Sequence, residues 1–335
     1  MDSFNKKRKE VYLNKIKKNR NLNKAINYNE KYSVNPEKKY LTNLKAIVRD
    51  NETIELFPIQ RNPGHDKFIY YKNLKIFNFS RWCGLGSNLI VLMDLLIKMK
   101  IDYDIIPEEI SANLAVYKNY NIYNKLLYIN KSKINDFKKL SNDYLDSCFL
   151  KKSNISVYGL GNKKDDIDLD LMEIIFDAYF NMTDLVIDRA NQIIKKYNIN
   201  LNNFNFILWR KTDKINEIQN YPKLDEALKL LNGDFSNLVA QTDDLIIYEE
   251  FKNHKDIIIL KELGFCSNDN GLHHEIYHNP NKFDEHEHLL NLFAIIYIAS
   301  KSNVFIGYPG NLSIIVCILK KFKNAFIIKI DGSIY

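Results

Sequence analysis

Asn203-Phe204-Asn205-Phe206-Ile207-Leu208-Trp209-Arg210-Lys211-Thr212-Asp213-Lys214 is the stretch on which the fold turns. Its apolar run, with aromatic residues at alternate positions, reads as a buried strand, and it stops in five residues that are all polar and mostly charged. In open α/β sheets the carboxyl ends of the strands face the ligand crevice. A strand ending in Arg210, Lys211, Asp213 and Lys214 therefore delivers charge to the place where substrate binds. An ordinary solvated turn is the plainer alternative. Glu217 weighs against it, as does Pro222, which opens a helix-like segment over residues 223–231.

Outward from this strand the second half alternates. The spacing predicts helices over residues 182–197, 223–231, 287–300 and 312–322, and strands over 204–209, 238–241, 257–260, 304–307 and 325–330. Alternating helices and strands imply a parallel, doubly wound sheet. The second strand ends at Thr242-Asp243-Asp244. After Gly307 the run Tyr308-Pro309-Gly310-Asn311 feeds a helix N-terminus suited to a phosphate.

The first half carries fewer signals. A strand over residues 44–48, a turn at Asn62-Pro63-Gly64 and one or two strands over 68–79 are expected. Residues 80–88 form a glycine-containing loop before a helix over 89–99, an arrangement whose backbone N–H groups can receive an anion; a tight packing turn is the alternative. A further strand is expected over 103–106, and residues 107–165 mix helix and loop. Asp165-Asp166-Ile167-Asp168-Leu169-Asp170 has the Asp-x-Asp pattern of a metal-held diphosphate site. It comes after Gly161-Asn162-Lys163-Lys164 instead of an apolar strand, so it reads as acidic residues at a helix start. His274 and His278, with Glu275, His286 and His288 nearby, could hold zinc. Asn279-Pro280 would break the helix directly after His278, so a polar surface loop is the better account.

At 335 residues the chain exceeds what one core usually serves, and its 46% hydrophobic and 27% charged content is that of a soluble globular protein. The net charge of +7 is local: residues 1–24 hold nine Lys or Arg against Asp2 and Glu10, so the remainder is neutral. Such an arm can touch an anionic membrane surface or nucleic acid. A solvated arm is the plainer reading, and no nucleic-acid partner is expected. Neither a signal peptide nor a transmembrane segment is read, which points to the cytoplasm. Cys83, Cys148, Cys266 and Cys317 lack paired spacing and are expected as free thiols.

Trp209-Arg210-Lys211-Thr212-Asp213-Lys214 resembles the V-R-R-T-D-K signature of the α-1,6-fucosyltransferases, which include core N-glycan enzymes and bacterial nodulation enzymes. Glu217 precedes Pro222 at the spacing seen there. Three further stretches keep the family's order: Arg81-Trp82-Cys83-Gly84-Leu85-Gly86-Ser87-Asn88-Leu89; Leu238-Val239-Ala240-Gln241-Thr242-Asp243-Asp244; and Gly271-Leu272-His273 with, further on, Ala299-Ser300-Lys301-Ser302-Asn303-Val304-Phe305-Ile306-Gly307.

The resemblance implies an α/β fold of the GT-B type, with two Rossmann-like domains facing across a cleft. Residues 1–40 would be the basic arm, 41–180 the acceptor-side domain with its glycine loop at 83–88, and 181–335 the domain that binds the nucleotide sugar. It implies a metal-independent, inverting glycosyltransferase with GDP-fucose as donor, a glycan or other hydroxyl as acceptor, and no cofactor. Arg210 would grip two oxygens of the leaving diphosphate, Lys214 would be a second cation and Glu217 the general base on the acceptor. Gly84, Gly86, Asn88, Lys211, Asp213, Asp243, Asp244, His273, Gly310 and Asn311 would contact the donor. The chain departs from the family at Lys211, where a second Arg is expected, and at Leu208, where His is expected. One residue is missing between Lys214 and Glu217, Ile295 replaces an Asp expected to recognise guanine, and Asn311 replaces a Ser. A different nucleotide sugar, or a non-catalytic nucleotide- or glycan-binding relative, is the alternative.

Overall fold

Burial at every second residue organises the first part of the chain. In the computed structural model, which describes residues 44–48, 52–58, 67–81, 84–118, 120–145, 169–210, 224–231, 235–265, 283–308 and 310–328 together with Leu272, Ile276 and Asn279, six strands form one sheet. They are β1 (Leu44–Val48), β2 (Thr53–Pro58), β3 (Lys67–Tyr71), β4 (Ile76–Arg81), β5 (Glu109–Leu114) and β6 (Tyr120–Asn121), in that order across the sheet. Phe68 and Tyr70 of β3, Phe77 and Phe79 of β4, and Ile110, Ala112 and Leu114 of β5 point to the buried face, as a half-covered sheet requires.

The sheet is mixed. Only β4 and β5 run parallel, joined by α1 (Leu85–Tyr103), and every other neighbouring pair is antiparallel. This half is therefore one βαβ unit extended by a meander, rather than a doubly wound sheet. Helix α1 starts at Leu85, so Gly86, Ser87 and Asn88 belong to its first turn and not to a loop. It also absorbs the start of the strand expected over 103–106. Asp104 closes the helix in the left-handed region (φ 50), and the N–H of Ile105 bonds back to Met99 O at 3.0 Å. The β-branched pair Ile105-Ile106 thus belongs to a helix cap, although its composition suggests a strand.

After two short strands, β7 (Leu127–Tyr128) and β8 (Asn181–Met182), which pair with each other, the chain becomes α/β in sequence order. The helices are α2 (Lys131–Lys138), α3 (Leu169–Tyr179), α4 (Asp184–Tyr197), α5 (Leu224–Lys229), α6 (Leu245–Lys252), α7 (Glu285–Lys301) and α8 (Asn311–Leu319). Asp170 lies in the exposed first turn of α3, as a helix-start reading of that acidic run expects; Asp165, Asp166 and Asp168 fall outside the described residues. The second sheet is wholly parallel: β11 (Ile258–Ile259), β10 (Leu238–Gln241), β9 (Asn205–Leu208), β12 (Phe305–Gly307), β13 (Ala325–Ile327). Phe206, Ile207, Leu238, Val239, Ala240, Phe305 and Ile306 are buried regardless of which face they occupy, because helices cover both sides of a parallel sheet. Helix α7 is correspondingly buried on nearly every side from Leu289 to Ala299, with Asn291 as its buried polar residue, whereas α4 buries only Val186, Ala190 and Ile193 on one stripe.

Residues 43–335 form one compact unit. No helix among the described residues is long and apolar enough to cross a membrane. Cys317 is buried and in no disulfide, and the other three cysteines lie outside the described residues.

Candidate functional site

The strand order of the second sheet reverses direction between β9 and β12, since the chain leaves β9 to build outward through β10 and β11, then returns to the other side of β9. A crevice at the carboxyl ends of two such strands is where open α/β sheets bind ligands. The residues at this point are Trp209 and Arg210 after β9, Gly307 at the end of β12, and Tyr308 and Gly310 after it. The ladder extends into them: Trp209 N donates to Gln241 O at 2.9 Å and Tyr308 N to Leu208 O at 3.0 Å. Trp209 and Tyr308 are both buried and hold the two strand ends in place.

Two glycines at this end of the sheet are fixed by packing. A Cβ at Gly307 would lie 2.5 Å from Ser313 Cβ, and one at Gly310 would lie 2.1 Å from Cε2 of the Tyr308 ring. Gly310 is the N-cap of α8, and no side chain caps that helix. A helix N-terminus without a cap presents its first N–H groups, and the positive end of its dipole, to whatever lies in front of it.

Helix α1 arrives at the same place from the first sheet. Gly84 is its N-cap, again with no side-chain cap. A Cβ on Gly86 would lie 2.8 Å from Leu312 N and 3.1 Å from both the carbonyl carbon and Cβ of Asn311, so the first turns of α1 and α8 are in direct backbone contact. Gly84 differs: among the described residues nothing lies within 4 Å of where its Cβ would be. Arg81, buried at the end of β4, donates from Nη1 to Ser87 O and Ser87 Oγ, both at 3.1 Å, and so ties the strand end to the first turn of α1. Asn88 is buried one residue further on.

Two adjacent carboxylates divide the work after β10. Asp243 Oδ2 stands 2.8 Å from Arg210 Nε, with both side chains mostly shielded. Asp244 instead caps α6: its Oδ1 accepts from Ile246 N at 2.7 Å and Ile247 N at 3.1 Å. Thr242 Oγ1 accepts from Asp244 N at 3.0 Å and Gln241 Nε2 donates to Thr242 O at 2.8 Å, which stiffens the turn that aims Asp243. The Asp243 carboxylate keeps the Arg210 guanidinium at the end of β9, where its charge can attract an anion.

The first sheet contributes a residue that its sequence does not reveal. Tyr117, in the 3-10 turn Ala115–Tyr117 after β5, is buried, and burial pushes its phenol up to about 12 while the nearby Arg210 charge pulls it down. Its ring stacks on His288, centroids 5.9 Å apart, and burial lowers His288 to about 4. Tyr120 bonds to His286 Nδ1, and Lys118 Nζ pairs with Glu285 Oε1 at 2.6 Å. His286 and His288 thus belong to a seam between the segment after β5 and the start of α7. Among the described residues no group of three His, Cys, Asp or Glu could hold a metal ion.

Of the residues expected in the site, the structure brings Gly84, Gly86, Asn88, Gly310 and Asn311 to one junction and pairs Arg210 with Asp243, while Asp244 caps a helix. Lys211, Asp213, Lys214, Glu217 and His273 lie outside the described residues. No protein-family model matches the chain, and no curated protein matches it.

Proposed function

We propose that the chain is a glycosyltransferase of the GT-B type that resembles the α-1,6-fucosyltransferases, transferring a sugar from a nucleotide diphosphate donor to a hydroxyl acceptor with inversion and without a metal. The observation that carries this reading is the meeting of two helix N-termini without side-chain caps, those of α1 and α8, at a strand-order switch point flanked by Arg210. Departure of a diphosphate from an oxocarbenium-like carbon needs fixed positive charge, and helix N-termini with an oriented guanidinium supply it without reorganising. Lys214 is proposed as a second cation and Glu217 as the base that takes the proton from the attacking hydroxyl.

GDP-fucose is the donor that the motif resemblance supports. One observation favours a different base: Ile295, where an Asp would recognise guanine, is 2% exposed and packed inside α7. A thermal-shift screen with GDP, UDP, dTDP and CDP decides, because a ligand that binds only the folded chain stabilises it by mass action. GDP is expected to give the largest shift. A larger shift with UDP, dTDP or CDP removes GDP-fucose from the reading, and the absence of a shift with all four removes the diphosphate site.

A further inference from the structure

A cleft of about 710 Å³ opens beside the carboxyl end of α1, roughly 27 Å along that helix from Gly84 at about 1.5 Å per residue. Its floor is Ile54, Tyr70 and Ile105, all buried, and Tyr103 and Ile106 line its walls. Lys72, Lys75, Lys100 and Lys138 converge on it. Among the described lining residues the carboxylates are two, and Asp102 stands near enough to act on Tyr103. Glu108 is shared between Lys75 Nζ at 2.7 Å and Lys138 Nζ at 3.6 Å, and Asp104 pairs with Lys100. Lys72 makes no ion pair among the described residues. The described lining therefore carries four lysines against two carboxylates, two positive charges in excess. Hydrogen bonding to Lys75 holds the Glu108 carboxyl below its usual range, so that group stays ionised and its single charge serves two ammonium groups.

We propose that this cleft is a second ligand site, taking a small molecule that bears a phosphate ester, independent of the crevice at β9 and β12. The volume suits a small metabolite. An excess of two charges matches a phosphate dianion. Among the described residues the lining offers lysines and no arginine, so the cations act as point charges around a tetrahedral anion rather than as forks for a planar carboxylate. Tyr103 and Tyr70 give the ester's organic part an aromatic and apolar bed.

Calorimetric titration of the full chain with phenyl phosphate, and with inorganic phosphate for comparison, tests this at physiological salt. Phenyl phosphate is expected to bind more tightly than inorganic phosphate, to bind Arg210→Ala as well as the unaltered chain, and to bind Lys72→Ala/Lys138→Ala about tenfold more weakly. Exposed Lys229 serves as the control, and Lys229→Ala should change nothing. Tyr103→Ser should abolish the preference for the phenyl ester. The site is refuted if binding is undiminished in Lys72→Ala/Lys138→Ala, is lost in Arg210→Ala, falls equally in Lys229→Ala, or never saturates.

Discussion

Replacing Gly86 by Ala is the sharpest test of the junction between α1 and α8. The added methyl would sit 2.8 Å from Leu312 N and 3.1 Å from Asn311 Cβ, and a relaxed contact needs about 3.4 Å, so one backbone has to withdraw by about 0.6 Å. Neither side yields easily: α8 is buried at Ser313, Ile315, Val316, Cys317 and Ile318, and α1 at Leu85, Asn88 and Leu89. Forcing extra volume into such packing costs about 1–3 kcal/mol. Ala in place of Gly inside a helix returns about 0.5–1 kcal/mol. We therefore expect a net loss of about 1–2 kcal/mol, read as a lower urea midpoint at unchanged slope. The control is Gly84→Ser. Its Cβ meets none of the described residues within 4 Å and serine is a good N-cap, so stability should hold or rise slightly. A Gly86→Ala protein as stable as the unaltered chain would show that the two first turns are not in contact, and the common anion site would lose its geometric basis.

The remaining expectations concern charge. Arg210→Ala should weaken nucleotide binding about tenfold or more, the size of a lost charge-assisted contact, and Arg210→Lys should recover little; unaltered affinity would place the diphosphate elsewhere. Glu217→Gln should leave nucleotide binding intact and lower turnover by roughly 10²- to 10⁴-fold, and normal turnover would remove it as the base. His288 is held neutral in the fold, its pKa lowered from 6.5 to about 4 by burial, so the unfolded chain protonates first. Its contribution is therefore complete above about pH 6.5 and lost as pH falls toward 4. The residue keeps part of its surface accessible, so we expect about 1–2 kcal/mol over that window by urea unfolding. His288→Phe should flatten the slope; an unchanged slope would assign the acid sensitivity to other groups.

The second sheet was the legible part of the chain because strands buried on both faces appear as short apolar runs, as at Leu238-Val239-Ala240-Gln241, whose predicted and observed ends coincide. Strand β5 was invisible for the opposite reason. Glu109, Ser111 and Asn113 face outward, and Ala112 is too small to mark the inward face, so Ile110 and Leu114 alone carry its alternation. Missing β5 meant missing Tyr117, which lies in the 3-10 turn directly after it, close enough for the Arg210 charge to act on its phenol. Asp243 and Asp244 look alike in sequence and differ only in direction, one toward Arg210 and one onto the first amides of α6. The strand expected over 103–106 failed because a left-handed Asp104 turns Ile105 back onto the helix.

The two glycines of Cys83-Gly84-Leu85-Gly86 have separate reasons. Gly86 is required by protein atoms, since α8 leaves no room for a side chain. At Gly84 neither the space nor the backbone demands glycine: φ is −63, ordinary for any residue, and none of the described residues comes within 4 Å of where its Cβ would be. Among the described residues, what a bare N-cap leaves there is an approach to the first N–H groups of α1. A ligand approaching along that line would meet the first turn of α8 at the same moment, because Gly86 holds the two helices in contact. Gly84→Ser therefore separates the two roles. A side chain that leaves folding untouched yet weakens diphosphate binding puts the ligand at this junction, and a side chain that changes neither puts it elsewhere.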